Sequence, residues 1–281
     1  MSHLDASMIN RAAPPGSMRY FSLLYAPESR RDALMALYVI DAEIRESAQS
    51  ANHDVAHTRL RWWRDEIDRL VNGNPQHPAT RTLHEQQPGS PPRHFARLHE
   101  LLAAADMDLA RMTYLTMREL GAYCVRSGGV IAELLAEQLM APAPVDDTVR
   151  AAARGIGSGV RQAEILRDLR QDATDGRLYL PLEDMDRSGV SLEDARQREV
   201  GAPLRELLAR YREHVREGLL ESERALPPET RDRMRPLLVL SALYRGLLDR
   251  IAQRNYEVGT ERIELGPFAK PWIAWRAARR A

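Results

Sequence analysis

Apolar residues recur at intervals of three and four along most of this chain, which is the spacing of one face of an α-helix. One clear example runs through Leu34, Leu37, Tyr38, Asp41 and Ile44. The same spacing predicts further helices over residues 57–73, 92–105, 112–139, 145–172, 203–226 and 228–256. We find no run of useful length that alternates apolar and polar residues as a β-strand does. The pattern therefore predicts an all-α fold without repeats.

Segments rich in Pro, Gly and polar residues interrupt this pattern. Residues 74–92 predict a surface loop. Gly128 and Gly129 stand inside the predicted helix 112–139, where each glycine costs on the order of 1 kcal/mol against alanine, so we expect close helix packing or a kink lining a cavity. A chain of 281 residues with 44% hydrophobic content is long enough for one large core. We predict a flexible start at 1–17, one domain at 18–270 and a C-terminal tail at 271–281.

Composition excludes several classes of protein. The 40 basic and 40 acidic residues leave a net charge of zero, so we expect no nucleic-acid partner. The single cysteine, Cys124, excludes an internal disulfide, and the histidines do not share metal-ligand spacing with it. We find no signal-like apolar region at the N-terminus and no apolar run of 18 or more residues. These features predict a cytoplasmic protein.

The strongest chemical signal is a row of acidic residues in the predicted helix 145–172. Glu164, Asp168 and Asp172 stand four residues apart, so they lie on one helical face and repel one another. Such oxygen ligands suit Mg²⁺, which is usually held by a few carboxylates plus the phosphates of a substrate. Arg161 and Arg167 flank the row and could bind those phosphates. An ordinary solvated face with paired Arg and Asp residues is the alternative.

The segment around this row, RQAEILRDLRQDATDGRLYLP, resembles the second aspartate-rich motif of the squalene/phytoene synthase family. The matching positions are Ile165, Arg167, Asp168, Asp172, Gly176, Arg177, Tyr179, Leu180 and Pro181. Two positions depart, since Arg161 stands where the family usually has Gln and Glu164 where it has a metal-binding Asn. Segments such as RYFSLLYAPESRRDALMALYVID and ELGAYCVRSGGVIAELL are also similar to the family, so the resemblance extends over residues 20–270.

The resemblance implies a single-domain, isoprenoid synthase-like helical bundle around a central cavity. Family members bind two prenyl diphosphates, farnesyl or geranylgeranyl, between two magnesium-bearing helices and join them head to head. Carried over position by position, the resemblance implies catalytic roles for Asp168, Asp172 and Arg167 and metal binding by Asp168, Asp172 and Glu164. It implies substrate binding by Tyr38, Arg45, Arg161, Arg177 and Tyr244.

The first aspartate-rich motif of the family is degenerate here. If Tyr38 sets the register, the family's arginine and three carboxylates fall at Ala42, Arg45, Glu46 and Gln49. A shifted register would use Asp41, Glu43 and Glu46 but would break the match at Tyr38 and Ile44. A similar loss of the first motif is seen in the family's branch of complex I assembly factors.

Two hypotheses follow from this loss. One is a magnesium-dependent prenyltransferase, and the other is a non-catalytic protein that binds an isoprenoid or a partner, such as a respiratory complex assembly factor. Peripheral contact with the inner membrane stays open under both.

Overall fold

The computed structural model describes residues 3–86 and 93–281, and within these residues the chain forms helices and no β-strand. The α-helices are α1 (Ala6–Ala12), α2 (Met18–Leu23), α3 (Glu28–Ala48), α4 (His53–Val71), α5 (Pro78–Glu85), α6 (Leu98–Leu109), α7 (Met117–Cys124), α8 (Val130–Met140), α9 (Asp147–Thr174), α10 (Leu182–Ser188), α11 (Leu192–Arg196), α12 (Ala202–Ala225), α13 (Arg235–Gln253) and α14 (Ala269–Ala278). The predicted all-α fold is confirmed.

Two long helices, α3 and α9, form the centre of the bundle. Helix α3 packs against α4, α6 and α8, and α9 packs against α8, α12 and α13. The five positions used to predict α3 from their spacing are all buried: Leu34, Leu37, Tyr38, Asp41 and Ile44. Because Asp41 is a carboxylate in this buried set, it needs cationic partners, which matter for the site below.

A π-helical turn, Val125–Gly129, separates α7 from α8, where the sequence predicted one helix over 112–139. The helix is interrupted because α9 crosses it with almost no space between the backbones. A Cβ atom on Gly128 would lie 2.3 Å from the carbonyl oxygen of Gly157. The predicted close packing at the glycine pair is therefore present, and it brings the π turn next to α9.

Both ends of the chain contribute helices to the bundle. The Asp5 side chain accepts a hydrogen bond from the Met8 amide at 2.8 Å and caps α1, which packs on α3. Ala12 and Ala13 are buried there. The flexible start predicted for 1–17 stays a prediction. The predicted tail at 271–281 mostly lies in α14, which packs against α13 and α2.

The segment predicted as a loop over 74–92 contains α5, and its residues 87–92 lie outside the described residues. The sequence prediction missed α5 because its stabilising contact is tertiary. Glu66 of α4 is fully buried and accepts hydrogen bonds from the Gln76 and His77 amides at 2.8 Å each, immediately before α5 begins. Across the described part of the chain, no helix combines the length and hydrophobicity needed to cross a membrane.

Candidate functional site

Helix α9 places the three acidic residues of the predicted row on one face. The side chains of Glu164, Asp168 and Asp172 are 12%, 24% and 15% exposed, so they are largely shielded from water. Buried carboxylates are stable only with positive or hydrogen-bonding partners. The identity of those partners decides what the row can do.

Arg45 of α3 is the partner of Glu164. Its Nη1 lies 3.3 Å from Glu164 Oε2, its Nε donates to Asp41 Oδ1 at 2.7 Å, and its Nη2 donates to the Ser127 carbonyl at 2.7 Å. One guanidinium group therefore joins α3, α9 and the π turn. Burial opposes ionisation of Glu164, but Arg45 and three further guanidinium groups outweigh it and lower its pKa to about 2.

Two more residues complete this network. Arg19 of α2 pairs with Asp41, and its guanidinium carbon lies 4.8 Å from the centre of the Tyr38 ring. Tyr244 of α13 donates its hydroxyl hydrogen to Glu164 Oε1 at 2.8 Å. The pKa of Tyr244 is raised far above its ordinary value by burial and then by the charge of Glu164, so its hydroxyl stays protonated.

Asp168 is held by two arginines. Arg167 donates through Nε and Nη2 to its two oxygens at 2.9 Å and 2.5 Å, and Arg262, from the segment before α14, does so at 2.8 Å and 3.2 Å. Burial alone would raise the pKa of Asp168, but these hydrogen bonds and charges lower it. Asp168 is therefore an ionised bridge between α9 and the chain before α14.

Asp172 has a weaker partner than the other two. Arg177 Nε lies 3.4 Å from Asp172 Oδ1, while Arg177 Nη2 lies 2.9 Å from Asp175. Burial raises the pKa of Asp172 to about 6, despite the opposing charges of Arg161 and Arg177. A carboxyl group with this pKa exchanges protons near neutral pH.

Arg161 points into an aromatic pocket. It donates to the Tyr123 hydroxyl at 2.8 Å, and its guanidinium carbon lies 5.1 Å from the centre of the Tyr179 ring. Tyr123 and Tyr179 in turn donate to Asp108 Oδ1 at 2.7 Å and 2.8 Å. Arg161 also lies 3.7 Å from Glu164, so it extends the Arg45 network rather than facing an open cavity.

Two cavities meet at the Asp168 bridge. The first, which we call the cationic cavity, has a volume of about 420 Å³ and is lined by the charged residues Arg11, Arg19, Arg167, Arg262, Lys270, Glu164 and Glu264. The second, the row cavity, has a volume of about 620 Å³ and is lined by four arginines and four acidic residues: Arg167, Arg170, Arg177, Arg262, Asp168, Asp172, Asp175 and Glu261. Of these two cavities, the cationic cavity has the excess of positive side chains.

The structure brings together part of the predicted site. Tyr244, Glu164 and Arg167 line the cationic cavity, while Asp168, Asp172 and Arg177 line the row cavity. Tyr38, Arg45 and Arg161 line neither cavity and instead hold the buried network. Sequence reasoning missed Arg19, Arg262 and Lys270. A signal for Arg19 was present, because Asp41 stands among the apolar positions of α3 and requires a cation.

The donor set does not fit the predicted magnesium site. Glu164 faces Arg45, Asp168 is bound by two arginines, and within residues 3–86 and 93–281 no group of three or more His, Cys, Asp or Glu side chains could hold a metal ion. On α3, Glu46 is exposed and lines a different cavity with Trp62 and Trp63. A guanidinium group thus lies between α3 and α9, where the family pattern has two facing carboxylate clusters.

The family model of squalene/phytoene synthases matches residues 13–269. The chain belongs to the squalene/phytoene synthase family. This member is 28% identical over 266 residues to the 15-cis-phytoene synthase of Synechococcus elongatus, an alignment that covers 89% of this chain and 84% of that protein. The family membership therefore indicates the expected substrate class. The differences from the family pattern at Arg45, Gln49, Arg161 and Glu164 belong to this chain.

Two solved structures have the same fold as this chain. A dehydrosqualene synthase in complex with a ligand matches it with a TM-score of 0.81 at 19% identity, over 98% of this chain and 95% of that chain. The squalene synthase HpnC from Alicyclobacillus acidocaldarius matches with a TM-score of 0.72 at 20% identity, over 90% of this chain and 97% of that chain. The all-α isoprenoid synthase fold predicted from the sequence is confirmed.

Proposed function

We propose that this family member binds a prenyl diphosphate, farnesyl or geranylgeranyl, with its diphosphate in the cationic cavity. The main support for the proposal is the charge of that cavity, which is lined by five cationic side chains and two carboxylates. A diphosphate is a compact polyanion, and arginine binds phosphate oxygens in pairs through its planar fork. The family membership supplies the prenyl chain as the expected remainder of the ligand.

The shape and lining of the cavity support the same ligand. Met18, Leu247 and Leu265 give it an apolar wall next to the cationic residues. Such a wall suits the first isoprene unit of a prenyl chain, because burying apolar surface is favourable at about 25 cal/mol per Å². Arg19 is held by Asp41, so its guanidinium group is pre-organised before a ligand arrives.

Head-to-head condensation is the family's reaction, and we expect it to be slow or absent in this chain. Ionisation of a prenyl diphosphate requires positive charge where the leaving diphosphate develops negative charge. In the family that charge comes from Mg²⁺ held by two carboxylate clusters. Here Arg45 already contacts Asp41, Glu164 and the Ser127 carbonyl, and two of the three carboxylate positions of the first motif are occupied by Arg45 and Gln49. The alternative hypothesis, that this chain acts as a non-catalytic respiratory complex assembly factor, stays a prediction.

Calorimetry with farnesyl thiodiphosphate, a slowly reacting analogue, tests the proposed binding. The double variant Arg262→Gln/Lys270→Gln should bind the analogue at least about tenfold more weakly, since each lost charge-assisted contact contributes on the order of 1.5–3 kcal/mol. The matched control is Arg187→Gln/Arg224→Gln, which removes the same charge from side chains that are 70% and 68% exposed and do not line this cavity. Equal affinity of the two double variants would contradict the proposal.

A further inference from the structure

The outer face of α14 carries an unusual set of exposed aromatic side chains. Phe268, Trp272 and Trp275 are 88%, 59% and 42% exposed. Their spacing of four and three residues places them on one side of the helix. The opposite side is buried through Ala274 and Ala278 against the rest of the bundle. The helix therefore presents large aromatic groups to the outside, while Ala274, Ala278 and Ile273 pack toward the bundle.

The aromatic side chains form an ordered surface. The rings of Trp272 and Trp275 stack with centroids 5.1 Å apart, and the guanidinium carbon of Arg279 lies 4.9 Å from the centre of the Trp275 ring. Exposed aromatic groups clustered in this way mark interaction sites on proteins. Tryptophan in particular favours the boundary between water and lipid, where its apolar ring and its N–H group are both accommodated.

The charge of the same segment indicates which partner fits. Residues 266–281 contain Lys270, Arg276, Arg279 and Arg280 and no acidic residue. Beside the aromatic face lies a cavity of about 540 Å³ that Trp272 and Arg276 help to line, with four arginine and two acidic side chains in its wall. This surface therefore combines exposed aromatic rings with a local excess of positive charge, although the whole chain has a net charge of zero.

We propose that the outer face of α14, formed by Phe268, Trp272, Trp275, Arg276, Arg279 and Arg280, docks on the surface of an anionic lipid bilayer. The aromatic rings enter the headgroup region, and the arginines contact lipid phosphates, as in other interfacial helices. This inference does not depend on the bound ligand. Docking of α14 would also suit a prenyl substrate. The same helix contributes Lys270 to the wall of the cationic cavity, so the docked face and the proposed diphosphate site belong to one element.

Sedimentation with lipid vesicles tests the aromatic part of this surface. The purified full chain should bind vesicles of phosphatidylcholine mixed with phosphatidylglycerol much more than vesicles of phosphatidylcholine alone. Trp272→Ala/Trp275→Ala should weaken this binding roughly tenfold or more, because two indole rings no longer enter the interface. The control Met112→Ala/Leu115→Ala removes two other exposed apolar side chains, which are 47% and 51% exposed, and should leave binding unchanged.

The arginines are tested separately with a charge-matched control. Arg276→Gln/Arg279→Gln/Arg280→Gln should weaken binding by about fivefold for each charge removed. Arg59→Gln/Arg187→Gln/Arg224→Gln changes the net charge equally on other surfaces and should have little effect. Thermal unfolding checks that every variant folds. The proposal would be overturned if the parent chain bound no vesicles, or if variant and control lost binding equally. It would also be overturned if the tryptophan variants changed the molar mass in solution but not vesicle binding, because the face would then be a contact between copies of the chain.

Discussion

The Nη1 atom of Arg45 lies 3.3 Å from Oε2 of Glu164, so a guanidinium group joins α3 to α9 at the level of the two aspartate-rich motifs. The same guanidinium contacts Asp41, which is fully buried. The resemblance alone implied that Arg45 binds substrate. That role stays a prediction, and the contacts of Arg45 place it at the centre of a buried charge network between α3, α9 and the π turn.

Removing Arg45 should destabilise the protein. Arg45→Ala leaves Asp41 and Glu164 short of a cation in a buried setting, and loss of one partner of a buried ion pair costs about 3 kcal/mol or more. Arg45→Lys should recover only part of this loss, because an ammonium cannot reach three separate partners. Urea unfolding measures both. Arg187→Ala is the control and should change the free energy of unfolding by less than about 0.5 kcal/mol, and an equally small effect at Arg45 would contradict the network.

The variant Asp168→Asn distinguishes two roles of Asp168, that of a metal ligand and that of an ion-pair partner of Arg167 and Arg262. If Asp168 restrains Arg167 and Arg262, removing its charge should free both groups and tighten binding of farnesyl thiodiphosphate by about fivefold. The affinity should also be the same in EDTA and in magnesium. Asp147→Asn, at a fully exposed carboxylate, serves as the control. Weaker binding by Asp168→Asn that appears only with magnesium would instead make Asp168 a metal ligand.

Asp172 should give the stability a distinct dependence on pH. Its pKa is about 6 in the folded state against an ordinary value of 3.8, so the folded state binds more protons than the unfolded state between these values. Stability from this group is therefore present below about pH 4 and is lost as the pH rises through 6. Relative to the parent chain, Asp172→Asn should gain about 2 kcal/mol between pH 4 and pH 8.

Glu164 should show the opposite sign and serves as the comparison. Its folded pKa of about 2 lies below the ordinary value of 4.5, so its contribution is present above pH 4.5 and is lost as the pH falls toward 2. Glu164→Gln should therefore be less stable than the parent chain at pH 7, and the difference should shrink in acid. Urea unfolding across this pH range measures both variants, and parallel profiles would contradict the assignment.

Gly128→Ala tests the crossing of the π turn with α9. The added Cβ would lie 2.3 Å from the Gly157 carbonyl oxygen, which is backbone and cannot turn aside. We expect a loss of about 2 kcal/mol or more, since overpacking of this kind forces backbone shifts. Gly121→Ala in α7 is the matched control, because no atom lies within 4 Å of its added Cβ. The control should be neutral or stabilising by up to about 1 kcal/mol.

Condensation should be slow. With radiolabelled farnesyl or geranylgeranyl diphosphate, Mg²⁺ and NADPH, we expect product formation at least about 10²-fold below that of a phytoene synthase assayed in parallel, since each lost charge-stabilising group can cost that much and such losses are not additive. Squalene, phytoene or a presqualene product at ordinary enzyme rates would show that the degenerate first motif does not limit catalysis.

The sequence by itself determined the features that depend on local spacing. The helical period predicted α3 and α9, the four-residue spacing placed Glu164, Asp168 and Asp172 on one face, and the motif around them indicated the family. The glycine pair at 128–129 likewise indicated close packing, because glycine has no side chain and lets a neighbouring backbone approach. These inferences succeed since a helix fixes the relative positions of residues that are near one another in the chain.

Only the tertiary structure decided what those residues contact. Arg262 reaches Asp168 across 94 positions and Arg45 reaches Glu164 across 119, and no local period connects such residues. The prediction of a magnesium site rested on the row and on the family resemblance, and neither shows which guanidinium groups other helices bring to the row. Whether a buried carboxylate faces a metal ion or an arginine depends on which helices cross there, and that crossing is set by packing of the whole bundle.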